Sequence, residues 1–195
     1  MADVQVTRDR AKRTIKIWQP KYIQEILSRF NLPSFGRVTT PTYPTNFSQL
    51  SKDQCLESEE AKAAAAHYPY GQLIGSLMYL MIGTRPDLAQ PLSVLSQFLV
   101  NPSRVHWEAA VRLLVYVQAT ATVGLRYTGE APGTLPRVIG MSDASWATHV
   151  DDYTSQAGYF FNMCGAVVSW RSYRIKRVVH SSTEAEYVTC SDASR

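Results

Sequence analysis

Arg137-Val138-Ile139-Gly140-Met141-Ser142-Asp143 is the stretch on which the fold turns. Its apolar, partly β-branched run reads as a strand, and it ends on a carboxylate where a loop opens to solvent. Downstream, Gly158 to Met163 and Ala166 to Trp170 are two more strand-like runs flanking Cys164-Gly165, a tight-hairpin signal. Ser181-Ser182-Thr183-Glu184 has the spacing of a capping box and opens a helix that carries Glu186. Asp143 and Glu186 stand 43 positions apart, which leaves room for the hairpin and a return of the helix onto the first strand. Two hard oxygen ligands meeting there would suit Mg²⁺. On spacing alone, unrelated surface carboxylates are the simpler reading.

Working upstream, three helical stretches precede this region: Tyr70 to Ile82, Pro86 to Leu99, and Ser103 to Ala119, the last with Val105, Leu113, Leu114 and Val117 as its apolar face. His106, near the start of the third, reads as a surface or capping residue. Gly124 to Tyr127 reads as a short strand, followed by a Gly/Pro loop from Gly129 to Pro136. The chain opens with a β-hairpin turning over Asp9 to Arg13, then a helix begun by Pro20 and striped by Tyr22, Ile23, Ile26, Leu27 and Phe30. From Pro33 to about Tyr68 the composition is Pro-, Thr- and Ser-rich, with an acidic patch at Glu57, Glu59 and Glu60. This segment reads as a linker in which Ala63 to Ala66 starts a short helix.

The 195 residues, 45% apolar and 11% aromatic, suffice for a real core and exclude a wholly disordered chain. No apolar run approaches the roughly 20 residues of a membrane helix. Three scattered cysteines, Cys55, Cys164 and Cys190, fit neither a disulfide framework nor a zinc site. The expectation is an intracellular chain of cytoplasm or nucleus with no membrane partner. The net charge of +4 is concentrated at the front, where residues 1–37 carry a net +5. A second basic cluster, Arg171, Arg174, Lys176 and Arg177, lies beside Trp170 and Tyr173.

Seven segments in order carry a resemblance. They are Lys21-Tyr22-Ile23, Gly75-Ser76-Leu77-Met78-Tyr79-Leu80, Thr84-Arg85-Pro86-Asp87, His106 with Tyr116-Val117, Ser142-Asp143-Ala144-Ser145-Trp146-Ala147, Ser169-Trp170-Arg171-Ser172, and Ser181 to Tyr187. From about Val4 onward the chain resembles the copia class of retrotransposon polyproteins, from the end of the reverse transcriptase into its ribonuclease H domain. The fold this implies is of the α+β or α/β class, a helical connection followed by a truncated ribonuclease H-like mixed β-sheet with one helix. The implied organisation is a reverse-transcriptase tail (1–37), a linker (38–69), a helical thumb or connection (70–134) and a partial ribonuclease H-like domain (135–195).

The family activity is hydrolysis of RNA in RNA–DNA hybrids, with two divalent ions activating a water and steadying the leaving oxygen. The resemblance makes Asp143 and Glu186 the catalytic, metal-binding carboxylates for Mg²⁺ or Mn²⁺, and Arg171, Arg174, Lys176 and Arg177 the nucleic-acid contacts. The implied partners are an RNA–DNA hybrid and the rest of the polyprotein. Glu184, about 200° around the helix from Glu186, reads as the capping partner of Ser181.

The chain also departs from the family pattern. Ser145 stands where a second Asp is common, and Asp152-Tyr153-Thr154-Ser155-Gln156 stands where a basic pair precedes Ser-Thr. A further metal-binding Asp is expected on a strand beyond Arg195, and Asp192 is no substitute. His149-Val150-Asp151-Asp152 imitates the polymerase Tyr-Val-Asp-Asp motif but sits inside the ribonuclease H match, so it reads as a solvated loop. The expectation is a chain inactive alone. The alternatives are a non-catalytic nucleic-acid-binding or assembly module, or a pseudogene-derived product.

Overall fold

A computed structural model describes residues 4–31, 38–42, 50–56, 67–131 and 133–195. The expected helix at Ala63 to Ala66 and the acidic patch Glu57, Glu59 and Glu60 lie outside the described residues.

The front hairpin pairs β1 (Gln5–Asp9) with β2 (Thr14–Trp18), and β3 (Leu125–Thr128) returns to pair antiparallel with β2. Gly124 makes the return possible: a Cβ there would collide with the Ile17 carbonyl oxygen. Between β2 and β3 lie helices α1 (Pro20–Phe30), α2 (Tyr70–Thr84), α3 (Ala89–Leu95) and α4 (Arg104–Ala119). Apolar residues recur at helical spacing, Leu73, Ile74, Leu77 and Leu80 on α2 and Ala110, Leu113, Leu114 and Val117 on α4. They form one core with Ile23 and Ile26 of α1. The described parts of segments 1–37 and 70–134 therefore share a single core and a single sheet.

Two local expectations need correction. The helix expected over Pro86 to Leu99 is broken into a 3₁₀ turn (Pro86–Leu88), α3 and a second 3₁₀ turn (Ser96–Phe98). Pro91 has no N–H to give to the preceding turn. On α4, Val105 is exposed while His106 is completely buried. The Ser103 N–H donates to His106 Nδ1 at 3.0 Å, and the ring stacks on Phe98 with centroids 4.0 Å apart. Ser-x-x-His at box spacing was the sequence signal for this cap.

Burial holds the His106 imidazole below its ordinary 6.5, with the Ser51 backbone and Asp151 acting the other way. The unfolded chain then binds this proton at higher pH than the folded chain does, so stability falls as pH drops from about 6.5 toward the folded value. His106→Asn, which keeps an acceptor near the Nδ1 position, should flatten that fall in urea midpoints compared at about pH 7.5 and about pH 5. An equally steep fall in the variant would remove His106 as its source.

The remaining chain forms β4 (Val138–Ser145), β5 (Gln156–Met163), β6 (Ala166–Arg174) and α5 (Ser182–Ala193). The sheet order is β4-β5-β6, and every pairing in both sheets is antiparallel among the described residues. The expected mixed sheet is thus not formed by the described strands. A parallel neighbour for β4 would need a strand placed after a crossover such as α5. Ala144, Ala157 and Tyr173 face α5 and pack with Ala185 and Val188 in a small second core. The opposite face meets the helical layer. Gln156 Nε2 donates to Ser93 Oγ on α3 at 3.1 Å, and Arg174 Nη1 donates to Gln97 Oε1 at 3.4 Å.

Candidate nucleic-acid and metal site

Asp143 lies on β4, an edge strand of its sheet among the described residues, and is exposed. Strand alternation turns its side chain away from the α5 face that Ala144 occupies. Asp143 lines a cleft of about 1220 Å³ between this sheet and the helical layer, with Pro86, Asp87 and Gln90 opposite. Its cross-strand partner is Gly158, where an added Cβ would meet only the Arg171 carbonyl oxygen, at 3.6 Å. The space beside the Asp143 carboxylate is therefore open.

Glu186 projects from α5 and reaches the free edge of β4, where its Oε1 accepts from the Ala144 N–H at 3.3 Å. That N–H belongs to the peptide joining Asp143 to Ala144. The fold thus brings the Glu186 carboxylate to within one peptide unit of Asp143. The two residues approach the open edge of β4 from opposite faces of the sheet. Neither carboxylate has an ion pair among the described residues. No cluster of three or more His, Cys, Asp or Glu able to hold a metal occurs among the described residues.

Glu184 caps α5. Its backbone N–H donates to Ser181 Oγ at 3.1 Å, and its carboxylate accepts from the His180 N–H at 2.8 Å, one residue earlier than a standard box. Asp192 faces elsewhere, accepting from the Tyr173 hydroxyl at 2.7 Å. Burial, with Asp192 beside it, pushes that phenol up to about 12.

The four expected nucleic-acid residues all line one groove, of about 1260 Å³, between β6, the C-terminal end of α5 and helices α2 and α3. Lys52 and Arg195 join Arg171, Arg174, Lys176 and Arg177 there, with Asp192 the one acid among the described lining residues. Sequence reading missed Lys52 and Arg195 because they come from remote segments. Arg174 is partly committed, pairing with Asp152 at 3.0 Å. Arg171 lies over the Tyr173 ring at 4.5 Å, while Lys176 and Arg177 are exposed. Trp170, Arg171 and Ser172 line both this groove and the Asp143 cleft, so the two adjoin along β6. Trp146 is a rim residue, its Nε1 donating to the Val179 carbonyl at 3.1 Å.

The loop read as solvated has structural work instead. Asp151 accepts from Ser51 Oγ and from the Lys52 N–H, so it caps the 3₁₀ turn Lys52–Gln54 from the far end of the chain. Asp152 accepts from the Thr154 hydroxyl at 2.7 Å, a hydrogen bond that, with Arg174 nearby, lowers its carboxyl below the ordinary value. Ser155 is fully buried and its Oγ accepts from the Ala147 N–H at 3.1 Å.

No helix among the described residues is long and apolar enough to cross a membrane. No family model and no solved structure matches the chain. The chain is 37% identical over 192 residues to the retrovirus-related Pol polyprotein from transposon TNT 1-94 of Nicotiana tabacum, covering 98% of itself and 14% of that polyprotein. It is 35% identical over 177 residues to the Pol polyprotein from transposon RE1 of Arabidopsis thaliana, covering 90% of itself and 11% of the relative. A secreted RxLR effector protein 161 of Plasmopara viticola is 46% identical over 127 residues, 65% of this chain and 87% of that protein. The chain thus spans only a small part of the polyproteins it matches. It belongs to the sequence family that these transposon Pol polyproteins share with the Plasmopara protein, and it corresponds to one segment of the polyproteins.

Proposed function

We propose that this chain is a copia-type Pol segment running from the end of a reverse transcriptase into a ribonuclease H-like unit. In this reading the basic groove holds an RNA–DNA hybrid, and Asp143 and Glu186 are carboxylate ligands for Mg²⁺ or Mn²⁺ at the open edge of β4. The observation that carries the reading is the Glu186 hydrogen bond to the Ala144 N–H. It brings the helix carboxylate to the peptide that follows Asp143, and two hard oxygen donors without a cationic partner fit such an ion. When bound, divalent ions at such sites activate water and steady the leaving oxygen.

The chain's own residues supply placement. Gly158 leaves room beside Asp143, and Arg171, lying over Tyr173 on the α5 side of the sheet, would hold a backbone phosphate in the groove. Two carboxylates are a sparse ligand set for a two-ion site, so the chain alone binds hybrid without turning it over. The rest of the polyprotein is its partner.

A second reading, a non-catalytic binding module, is favoured by the groove itself, whose lining includes neither Asp143 nor Glu186. Hybrid binding by fluorescence anisotropy, with Mg²⁺ and with EDTA, separates the two. The nuclease reading expects tighter binding in Mg²⁺, with the gain lost in Asp143→Asn. Equal binding in EDTA supports the module. Hydrolysis that disappears in Asp143→Asn would show that the chain alone is active after all.

A further inference from the structure

A second cationic hollow lies away from the groove. Arg8, Arg10 and Arg13 surround about 630 Å³ at the front hairpin, with Tyr127, Gly129 and Cys164 completing the wall. All three arginines are exposed. Among the described residues none of their guanidinium groups has a hydrogen bond or ion pair. None of the described residues lining the hollow is acidic; Glu130 follows Gly129, and Asp9 is engaged by Lys12, accepting from its backbone N–H at 3.0 Å and pairing with its ammonium at 3.8 Å.

The position of Arg13 is built. Its φ is 52°, a left-handed conformation that favours glycine over a long side chain. Its guanidinium lies across Gly129, where a Cβ would sit 3.3 Å from Nε and 3.4 Å from Nη2. The Gly129 N–H donates to the Arg13 carbonyl at 2.8 Å, which fixes the two backbones together. Three unneutralised guanidiniums around one hollow suit phosphate oxygens, which Arg recognises through its forked donors.

We propose that this hollow is a second phosphate-contact site for a nucleic-acid duplex that also lies in the basic groove. The inference rests on the nucleic-acid reading above and extends it to a distant part of the chain. Strand β6 connects the two sites. The β5–β6 turn supplies Cys164 to the hollow, and Val168 to Arg174 line the groove. From Ala166 to Arg174 an extended strand covers roughly 26 Å, so one duplex reaches from the hollow to the cations at the far end of the groove only if it has more than about 8 base pairs at about 3.4 Å each.

The test compares hybrids of about 8 and about 24 base pairs, titrated by anisotropy across a salt series. Arg8→Gln/Arg10→Gln/Arg13→Gln should weaken only the long hybrid and make its log K against log salt shallower by about 2 to 3. Lys176→Gln/Arg177→Gln should weaken both lengths. Because all five side chains are exposed, unchanged melting temperatures confirm that folding is intact. If the arginine variant keeps the full slope on the long hybrid while the groove variant loses affinity, the hollow is not a contact and the groove reading stands. If the unmodified chain binds neither length at low salt, the nucleic-acid reading falls and the hollow falls with it.

Discussion

Replacing Arg85 with methionine should cost about 3 kcal/mol of stability and lower the melting temperature by about 6–12 °C in a chain of this size. Arg85 is completely buried at the junction of α2 and the following 3₁₀ turn. Its Nη2 donates to Asp87 Oδ2 at 2.7 Å and to Thr120 Oγ1 at 2.7 Å, while Nε donates to Asp87 Oδ1 at 2.9 Å. One guanidinium thus ties the end of α2 to the end of α4. Asp87 also accepts from the Tyr116 hydroxyl at 2.9 Å, and burial together with Asp87 raises that phenol's pKa.

Removing one partner of a buried pair costs about 3–5 kcal/mol, mostly through the charge left behind. Asp87 keeps 31% of its side-chain surface exposed, so water softens the loss and the low end applies. Arg85→Lys keeps the charge but not the fork, so it should fall between the two. Thermal melting of the three proteins decides. A methionine variant melting within about 2 °C of the unmodified chain, less than about 1 kcal/mol, would mean that the guanidinium does not hold the helices together.

Leu113→Ala is the second large effect, about 3 kcal/mol within the 2–5 seen for buried leucines. Leu113 is fully buried on α4, in the core shared by all four helices, together with Leu77, Leu80 and Val117. A cavity there cannot collapse without moving a helix. The equivalent change under α5, Val188→Ala, should cost less. That core is made mostly of small residues such as Ala157 and Ala185, and Val188 keeps 7% of its surface exposed. Urea midpoints at a constant slope measure both. A larger loss at Val188 than at Leu113 would reverse the assignment of the main core.

Much of this layout was legible in the residues. The front hairpin, α1, α2, α4 and the β5–β6 hairpin follow from alternation, helical stripes and turn residues whose reach is a few positions. What escaped was non-local. Nothing near Asp151 announces that it caps a turn at Ser51 and Lys52, one hundred positions away. The return of β3 to β2 depends on a glycine, Gly124, clearing the Ile17 backbone. His106 was read by its polarity, whereas packing on Phe98 and the Ser103 cap decide its burial. At the candidate site, Asp143 and Glu186 were nameable from sequence. Their approach from opposite faces of the sheet was not, because it depends on which way the edge strand turns its alternate side chains.

The most direct measurement is Mn²⁺ binding to the whole chain, followed by electron paramagnetic resonance, in the unmodified protein, Asp143→Asn, Glu186→Gln and the double variant. If the two carboxylates serve one cation at the β4 edge, each single variant should weaken Mn²⁺ by at least about tenfold, a loss that outer-shell partners alone can reach. The double variant should then lose little more than either single one, the non-additivity of a shared site. Unchanged Mn²⁺ affinity in Glu186→Gln, or losses that simply add, would show that Asp143 and Glu186 do not share an ion.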